Sequence, residues 1–314
     1  MSANGGKKAI VAALVANAGI AVAKFAGFLI TGSSSMLAES VHSVADTSNQ
    51  GLLLLGQSRA NRAATKLHPF GYGRNRYFYS FVVALVLFTL GSMFALYEGI
   101  HKIQHPEDLS SPMVAVVILL IAIGLETFSF LTAVKESRPL KGQAGWWHFI
   151  RTSRSPELPV VLLEDTGALV GLVLALGGVG LSMVTGNPVF DGIGTLCIGV
   201  LLGVIAVILI IEMKSLLIGE GATEDDEERI LAALVDGVEI DRVIHCKTQY
   251  LGPEELLVAA KVAVAPGSDI EAIAAAIDAA EARVRAAVPA ARVIYLEPDL
   301  YREAPVQPGS DVPA

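Results

Sequence analysis

The stretch SMLAESVHSVADTSNQGLLLLG, residues 35–56, sets Glu39, His42 and Asp46 in a segment otherwise apolar enough to lie in a bilayer. A helix turns about 100° per residue, so these three positions, spaced i, i+3 and i+7, share one face, with Ser43 beside them. His42 and Asp46 stand one turn apart, close enough for an imidazole nitrogen and a carboxylate oxygen to hold one ion between them. The competing reading is a polar patch that hydrogen-bonds helices together. Charge at the bilayer centre costs from about 2.5 to 17 kcal/mol, depending on the scale, and groups that bear such a cost usually mark an ion or substrate path. The ion path is the stronger reading.

Half a site needs ligands from other segments. The stretch SPELPVVLLEDTGALVGLVLALG carries Glu164 and Asp165, IGLETFSFL carries Glu126, and Asn17 and Lys24 interrupt the first apolar run. A nitrogen from His42 with carboxylates from Asp46 and Asp165 makes a mixed set compatible with tetrahedral zinc once one more ligand is added. The same set suits cobalt, manganese or iron, because selectivity among these ions comes from geometry rather than raw affinity. A histidine in the set leans towards zinc over harder, oxygen-preferring ions.

The elements that position these residues follow from composition. The chain has 314 residues, 53% of them hydrophobic, a mean hydropathy of +0.57 and only 17% charged residues, against about 25% in soluble domains. It is a membrane protein. A helix crosses the hydrocarbon core with about 20 mainly apolar residues, and six such stretches occur, near 9–30, 35–57, 78–100, 112–134, 158–184 and 190–218. The first is too long for a signal-peptide core and lacks a small-residue cleavage site, so it is expected to remain as a helix.

Lys7 and Lys8 precede the first stretch. Arg59, Arg62, Lys66, Arg74 and Arg76 fall between the second and third, and Lys135, Arg138, Lys141, Arg151 and Arg154 between the fourth and fifth. The alternate loops hold only Lys102. Positive residues are retained in the cytoplasm, so both termini are predicted there. The net charge of −8 arises mostly after Gly219, and no basic patch with interleaved aromatics points to nucleic acid. Cys197 and Cys246 make no disulfide framework.

The membrane domain is predicted over residues 1–221 and a second, cytoplasmic domain over 222–303. In the latter, EDDEERILAALV has helical spacing, RVIHCKTQYL and ELLVAAKVAV read as strands, residues 268–288 as a helix and ARVIYLEP as a last strand, giving an α-β-β-α-β order. That is enough chain for a small α+β domain with helices on one face of a sheet. The polar, proline-containing residues 304–314 are predicted to be disordered.

Taken in order, TGSSSMLAESVHSVAD, HPFGYGR, ALYEGIHKIQHPE and GIGTLCIGVLLGVIAVILIIEMKSLLIGEGA resemble the cation diffusion facilitator family of zinc and related metal transporters, over nearly the whole chain. VVLLEDTGAL and the insertion GQAGWWHFIRTSRSPE before it resemble the branch typified by zinc transporter nine. The resemblance implies a six-helix membrane bundle, a metallochaperone-like cytoplasmic domain and a homodimer. It also implies a transported ion bound between the second and fifth helices, at an H/D-x-x-x-D and an H-x-x-x-D motif. His42 and Asp46 match the first, and Asp165 matches the aspartate of the second. Val161 occupies the second motif's histidine position, so the fourth ligand is unassigned and Glu164 is the nearest substitute, as ligand or proton carrier. Glu39, Asn17, Glu126 and His68 are possible accessory groups.

The family's other metal sites are depleted here. His68 lacks its companions, with Thr65 and Tyr72 in their places, and one imidazole cannot make a tight zinc site. In the C-terminal domain Ala260 and Tyr295 stand where histidines would be and Glu297 where an aspartate would be, with His245 and Cys246 nearby, so a structural role is expected for it. His101 and His105 read as solvated loop residues. Trp146, Trp147 and Phe149 read as an interfacial anchor rather than a cytoplasmic gate. The glycine-rich run LGGVGLSMVTG reads as a helix-packing surface.

Metal binds deprotonated ligands, so a histidine–carboxylate site releases protons as it loads. Opened alternately to each side, such a site exchanges metal for protons, with His42 and Asp46 as the coupling groups and His42 the readiest proton acceptor. The expected activity is efflux of a divalent cation, zinc first, by proton antiport with no cofactor. A zinc protease would show H-E-x-x-H, which the chain lacks. A passive channel would conduct without proton dependence. With no arginine-rich transit sequence, a bacterial cell membrane is the expected location.

Overall fold

The computed structural model describes the backbone of residues 3–31, 34–106, 112–237, 239–265 and 267–302, and their side chains apart from residues 3–6, 27, 28, 30, 31, 34–42 and 45. The chain divides into two compact units, Met1–Ile218 and Gly219–Ala314. The residues expected to be disordered, 304–314, lie outside the described part.

The first unit is helical. Its elements are α1 (Ala3–Thr31), α2 (Ser34–Ala60), α3 (Asn75–Val86), a π-helical stretch Leu87–Met93, α4 (Phe94–Gln104), α5 (Pro112–Lys141), α6 (Trp146–Thr152), α7 (Glu157–Thr185) and α8 (Val189–Ile218). Among the described residues five helical segments are long and apolar enough to cross a membrane, at Lys7–Ala26, Asn75–Gln104, Pro112–Lys141, Glu157–Thr185 and Val189–Ile218. The second helix, α2, has 27 residues and so has the length to cross as well, but it spends its interior on serine, asparagine, glutamine and ionisable residues.

The third segment, read from sequence as 78–100, runs instead over 30 residues, because α3, the π stretch and α4 form one continuous helix. Periodicity cannot foresee the π stretch. Nor does it foresee α6, seven residues within the insertion before α7.

Local chemistry fixes the ends of α7. Pro156 caps its start and Pro159 falls in the first turn, where a missing N–H costs no helical hydrogen bond. Gly186 closes it at φ +64°, in the left-handed region. Helices α4 and α8 meet closely because glycines face each other's backbone. A Cβ on Gly99 would lie 2.7 Å from Leu196 N, and one on Gly199 would lie 2.7 Å from Leu96 N. In the run LGGVGLSMVTG only Gly178 makes such a contact, against α8, while Gly177 and Gly180 have open space.

The apolar core of this unit gathers at one end. It takes Ile10 from the first half of α1, Leu53 from the second half of α2, Tyr77 and Val83 from α3, Ala133 from late α5, Leu158 and Val161 from the start of α7, and Leu209 and Met213 from late α8. Successive spans therefore alternate in direction, and the core lies at the end where the basic segments 59–76 and 135–154 emerge.

The second unit follows the α-β-β-α-β order, with α9 (Glu224–Val235), β1 (Ile240–Gly252), β2 (Glu255–Val264), α10 (Ile270–Ala287) and β3 (Ala291–Asp299). The sheet order is β1-β2-β3, with β1 and β2 antiparallel and β2 and β3 parallel. Thr223 and Asp269 cap the two helices, their side chains accepting from Asp226 N at 3.2 Å and Ala272 N at 2.8 Å. Ile230 and Leu234 of α9, and Ala280 and Val284 of α10, close over Tyr250, Leu256 and Val258 of the sheet.

Candidate functional site

A cavity of about 250 Å³ occupies the helical unit. Its lining comes from Asn17 and Lys24 in the second half of α1, Asp46 in the first half of α2, Glu98 and Lys102 of α4, Glu126 of α5, Glu164 and Asp165 of α7, and Asp191 of early α8. Most of the lining lies beyond the apolar core, which it meets at Leu87 and Leu202. The cavity thus extends from the middle of the bundle towards the end opposite the basic segments.

Asp46, Glu126, Glu164, Asp165 and Asn17, read as site residues from separate stretches, all line this one cavity. His68 is not brought there. It sits on an exposed loop, its ring 4.7 Å from that of Tyr72, and its N–H donates to Thr65 Oγ1 at 3.2 Å. The side chains of Glu39 and His42 lie outside the described residues. Among the described residues no group of three or more histidine, cysteine, aspartate or glutamate side chains is arranged to hold a metal ion.

Two carboxyls adjacent in sequence are steered to different neighbours. Glu164 and Asp165 differ by about 100° round the helix, and α7 is buried on an arc wide enough to hide both. Glu164 turns to α2, where Asn49 Nδ2 donates to Oε1 at 3.3 Å and Gln50 Nε2 to Oε2 at 2.8 Å. Asp165 turns to α5, where Ser129 Oγ donates to Oδ2 at 2.7 Å. Glu126, 5% exposed, lies within electrostatic range of Asp165, Asp46 and Lys24, and its Oε2 has no hydrogen-bond partner among the described residues.

Sequence reasoning missed Asn49, Gln50 and Ser129. The signal was available in part, since Asn49 and Gln50 follow Asp46 by three and four residues, one turn on, and Ser129 follows Glu126 by three. It shows that they share a surface with the acids, but not which carboxyl they meet.

The lining sets six carboxyl groups against two lysines. Lys102 Nζ is 3.0 Å from Asp191 Oδ2, at the cavity's far end. In a low-dielectric bundle such an acid excess requires further positive charge, as protons or as a bound cation. The donors on Glu164 and Asp165 are neutral amides and a hydroxyl. They orient the oxygens without cancelling their charge.

The second unit contrasts with this. Glu297, read as standing where a family metal ligand would be, lies 2.9 Å from Lys261 Nζ, and Asp299 Oδ2 lies 3.2 Å from the same nitrogen. The hydrogen bonds that Lys261 donates to both carboxylates push its ammonium pKa up, while the Leu300 N–H and then Lys261 hold Asp299 below its ordinary range. His245 is exposed; Cys246 is half-buried, and burial, then the Glu227 charge, raises its thiol pKa.

The cation efflux transmembrane domain model matches residues 10–218. The chain is 33% identical over 247 residues to the mouse proton-coupled zinc antiporter SLC30A9, mitochondrial, covering 78% of this chain and 44% of that protein. It is 31% identical over 249 residues to metal tolerance protein C4 of Arabidopsis thaliana, covering 79% of this chain and 54% of that protein. It is 26% identical over 174 residues to the zinc transporter ZitB of Pectobacterium atrosepticum, covering 55% and 51%. The chain thus spans about half the length of these relatives. The mouse and Pectobacterium relatives are named as an antiporter and a transporter, not as enzymes.

Proposed function

Since the chain belongs to the cation efflux family, we propose that it exports a divalent metal ion, zinc foremost, in exchange for protons, with its ligands drawn from the cavity of the helical unit. The observation that carries this reading is the convergence of Asp46, Glu126, Glu164 and Asp165 from three helices on one cavity. Asp46 and Asp165 supply ligands and charge, and His42, one turn before Asp46, supplies the nitrogen. Glu164 stands in for the histidine that Val161 replaces. It reaches the site after releasing the Asn49 and Gln50 amides, or carries a proton while it keeps them.

Loading a metal on these groups displaces protons, and emptying returns them. The names of the mouse and Pectobacterium relatives support zinc and, for the first, proton coupling. Manganese, iron, cobalt or cadmium is the alternative cargo. On this reading the basic segments and the sealed, apolar end of the bundle are cytoplasmic, the cavity faces outward and this conformation is the releasing one. A homodimer is part of this reading, checked by the molar mass of the detergent-solubilised chain.

The test is zinc flux into proteoliposomes under an imposed pH gradient. Asp165→Asn keeps the shape and the Ser129 hydrogen bond but removes the charge, and flux is expected to fall to background. Wild-type flux in this variant, or wild-type flux that ignores collapse of the gradient, overturns the reading.

A further inference from the structure

The cavity occupies one half of the bundle, and the other half is sealed. Within the seal two charges are buried where only apolar contacts would be needed. The Arg76 side chain is 10% exposed and that of Glu157 1%. They meet as a fork, Arg76 Nε to Glu157 Oε1 and Nη2 to Oε2, the latter at 2.8 Å. Two other pairs among the described residues join spans and are wetter: Lys8 with Glu136, 3.9 Å apart with side chains 71% and 19% exposed, and Lys102 with Asp191 at the far end of the cavity, 27% and 16% exposed.

Position makes the buried pair unusual. Arg76 is the second residue of α3 and Glu157 the first of α7. Glu157 suits the positive end of its helix, whereas a guanidinium in the first turn of α3 is opposed by its own helix dipole, an opposition that the Glu157 carboxylate offsets. A buried ion pair contributes little net stability over apolar side chains of similar size, yet breaking it by removing one partner is costly. The pair therefore adds little cohesion to a seal already made by Leu158, Val160, Tyr77 and Met213. What it adds is an all-or-none joint between two helices.

Both joined helices also line the cavity further along, α7 through Glu164 and Asp165, and α3 through the π stretch, where Leu87 and Gly91 face the cavity. π-helical turns often mark functional sites in helices. A rigid shift of α3 against α7 at the sealed end therefore changes the spacing of the groups on the cavity wall. Below the seal, α6 adds a stop. Phe149 is 5% exposed and belongs to the same apolar core, while Trp146 and Trp147 are exposed at 39% and 54%. Arg151 of α6 lies 3.3 Å from Glu212 of α8. The insertion thus divides its roles, with the tryptophans free to act as an anchor and Phe149 taking part in the closure.

We propose that Arg76 and Glu157 form the latch that holds the basic end of the bundle closed while the cavity faces the opposite side, and that the pair must part for the site to open towards the basic loops. The proposal rests on the alternating reading above, which requires such an opening. Arg76 and Glu157 are positioning residues in it and touch no metal.

The test reads access directly, so that it does not depend on zinc flux. Cys197 and Cys246 are replaced by serine in the full chain, and Val160, fully buried three residues after Glu157, becomes Val160→Cys. A membrane-impermeant thiol reagent is added from the basic-loop side. Labelling is expected to be slow with the pair intact, about tenfold faster in Glu157→Gln as the open population rises, and slow again in the swapped pair Arg76→Glu with Glu157→Arg. Equal rates in all three overturn the latch.

Because Glu157→Gln takes a carboxylate from a buried guanidinium and could unfold the protein, a second arm removes both charges. In Arg76→Cys with Glu157→Cys, a short cross-linker with two thiol-reactive ends and a cleavable spacer is expected to stop zinc flux in proteoliposomes, and cleavage to restore it. A cross-linked protein that transports as fast as its cleaved form overturns the latch. If wild-type protein carries no zinc at all, the transport reading fails while the labelling arm still decides the latch.

Discussion

Two groups of carboxylates in this chain are treated in opposite ways. In the helical unit Glu164 and Asp165 are buried and held by Asn49, Gln50 and Ser129, none of which carries charge. In the sheet unit Glu297 and Asp299 sit at the surface and share the Lys261 ammonium. A neutral donor fixes an oxygen in place and leaves its charge available to a cation, whereas an ammonium consumes it. The first arrangement suits a site that must fill and empty. In the second, one ammonium already holds both carboxylates and offsets half of their charge.

The sharpest way to break this contrast is to make the buried pair behave like the exposed one. Ser129→Lys would bring an ammonium, on a longer side chain, within reach of Asp165 in place of the present hydroxyl. Zinc flux is expected to fall by at least about a hundredfold, as in Asp165→Asn, while Ser129→Ala, which removes one hydrogen bond, is expected to cost about tenfold or less. Proteoliposome flux measures both. Equal losses in the two variants would mean that geometry rather than charge is what Asp165 supplies.

The next effect is on stability. Asn49→Leu combined with Gln50→Leu strips Glu164 of both amide donors inside an apolar bundle. An unsatisfied buried group costs about 1–3 kcal/mol, so the melting temperature of the detergent-solubilised protein is expected to drop by several degrees. Adding Glu164→Leu should recover most of that loss, since removing both sides of a buried polar contact is nearly neutral. Failure to recover would show that Glu164 has a further partner.

These partners explain how far the sequence could be read. The membrane class, the order of the sheet unit and four of the six cavity acids, Asp46, Glu126, Glu164 and Asp165, are legible because they rest on composition, period and residue type, which are local properties, whereas Glu98 and Asp191 went unread. The partners of Glu164 and Asp165 are set by how α7 is rotated between α2 and α5, a tertiary outcome that spacing along one helix does not contain. The Arg76–Glu157 fork joins residues 81 positions apart, and neither looks unusual alone, since each sits at a span end where charge is ordinary. The π stretch has no periodic signature of its own. The reading of His101 and His105 as loop residues was half right. His101 lies in the last turn of α4, and its ring stacks on that of His105 at 4.9 Å.

In the sheet unit the expected effects are small and fix the other side of the contrast. Lys261→Met frees two exposed carboxylates that solvent screens well, so melting is expected to move by no more than about 2 °C, and zinc flux is expected to be unchanged. Asp299 is held below its ordinary range of about 3.9. A depressed carboxyl contributes stability above that range and loses it as pH falls through the folded value. The small difference between wild type and Lys261→Met should therefore be present at pH 7 and fade below about pH 4, when melting is followed against pH. A difference that grows on acidification would give Lys261 another role.

The smallest expected effect concerns Cys246, beside Glu227. A thiol serving as a zinc ligand is deprotonated, and metal or positive neighbours lower its pKa. Here burial comes first and the Glu227 carboxylate second, and both push the thiol up from its ordinary value of about 8.5. In a Cys197→Ser background, alkylation of Cys246 at pH 7.5 is expected to be slower than that of an unstructured cysteine peptide and to rise steeply with pH. Glu227→Gln should speed it by a few-fold at most, since the carboxylate is the lesser cause. Micromolar zinc should leave the rate unchanged. Protection by zinc would place a ligand set around Cys246 and remove the contrast between the two units, because the sheet domain would then hold metal as well.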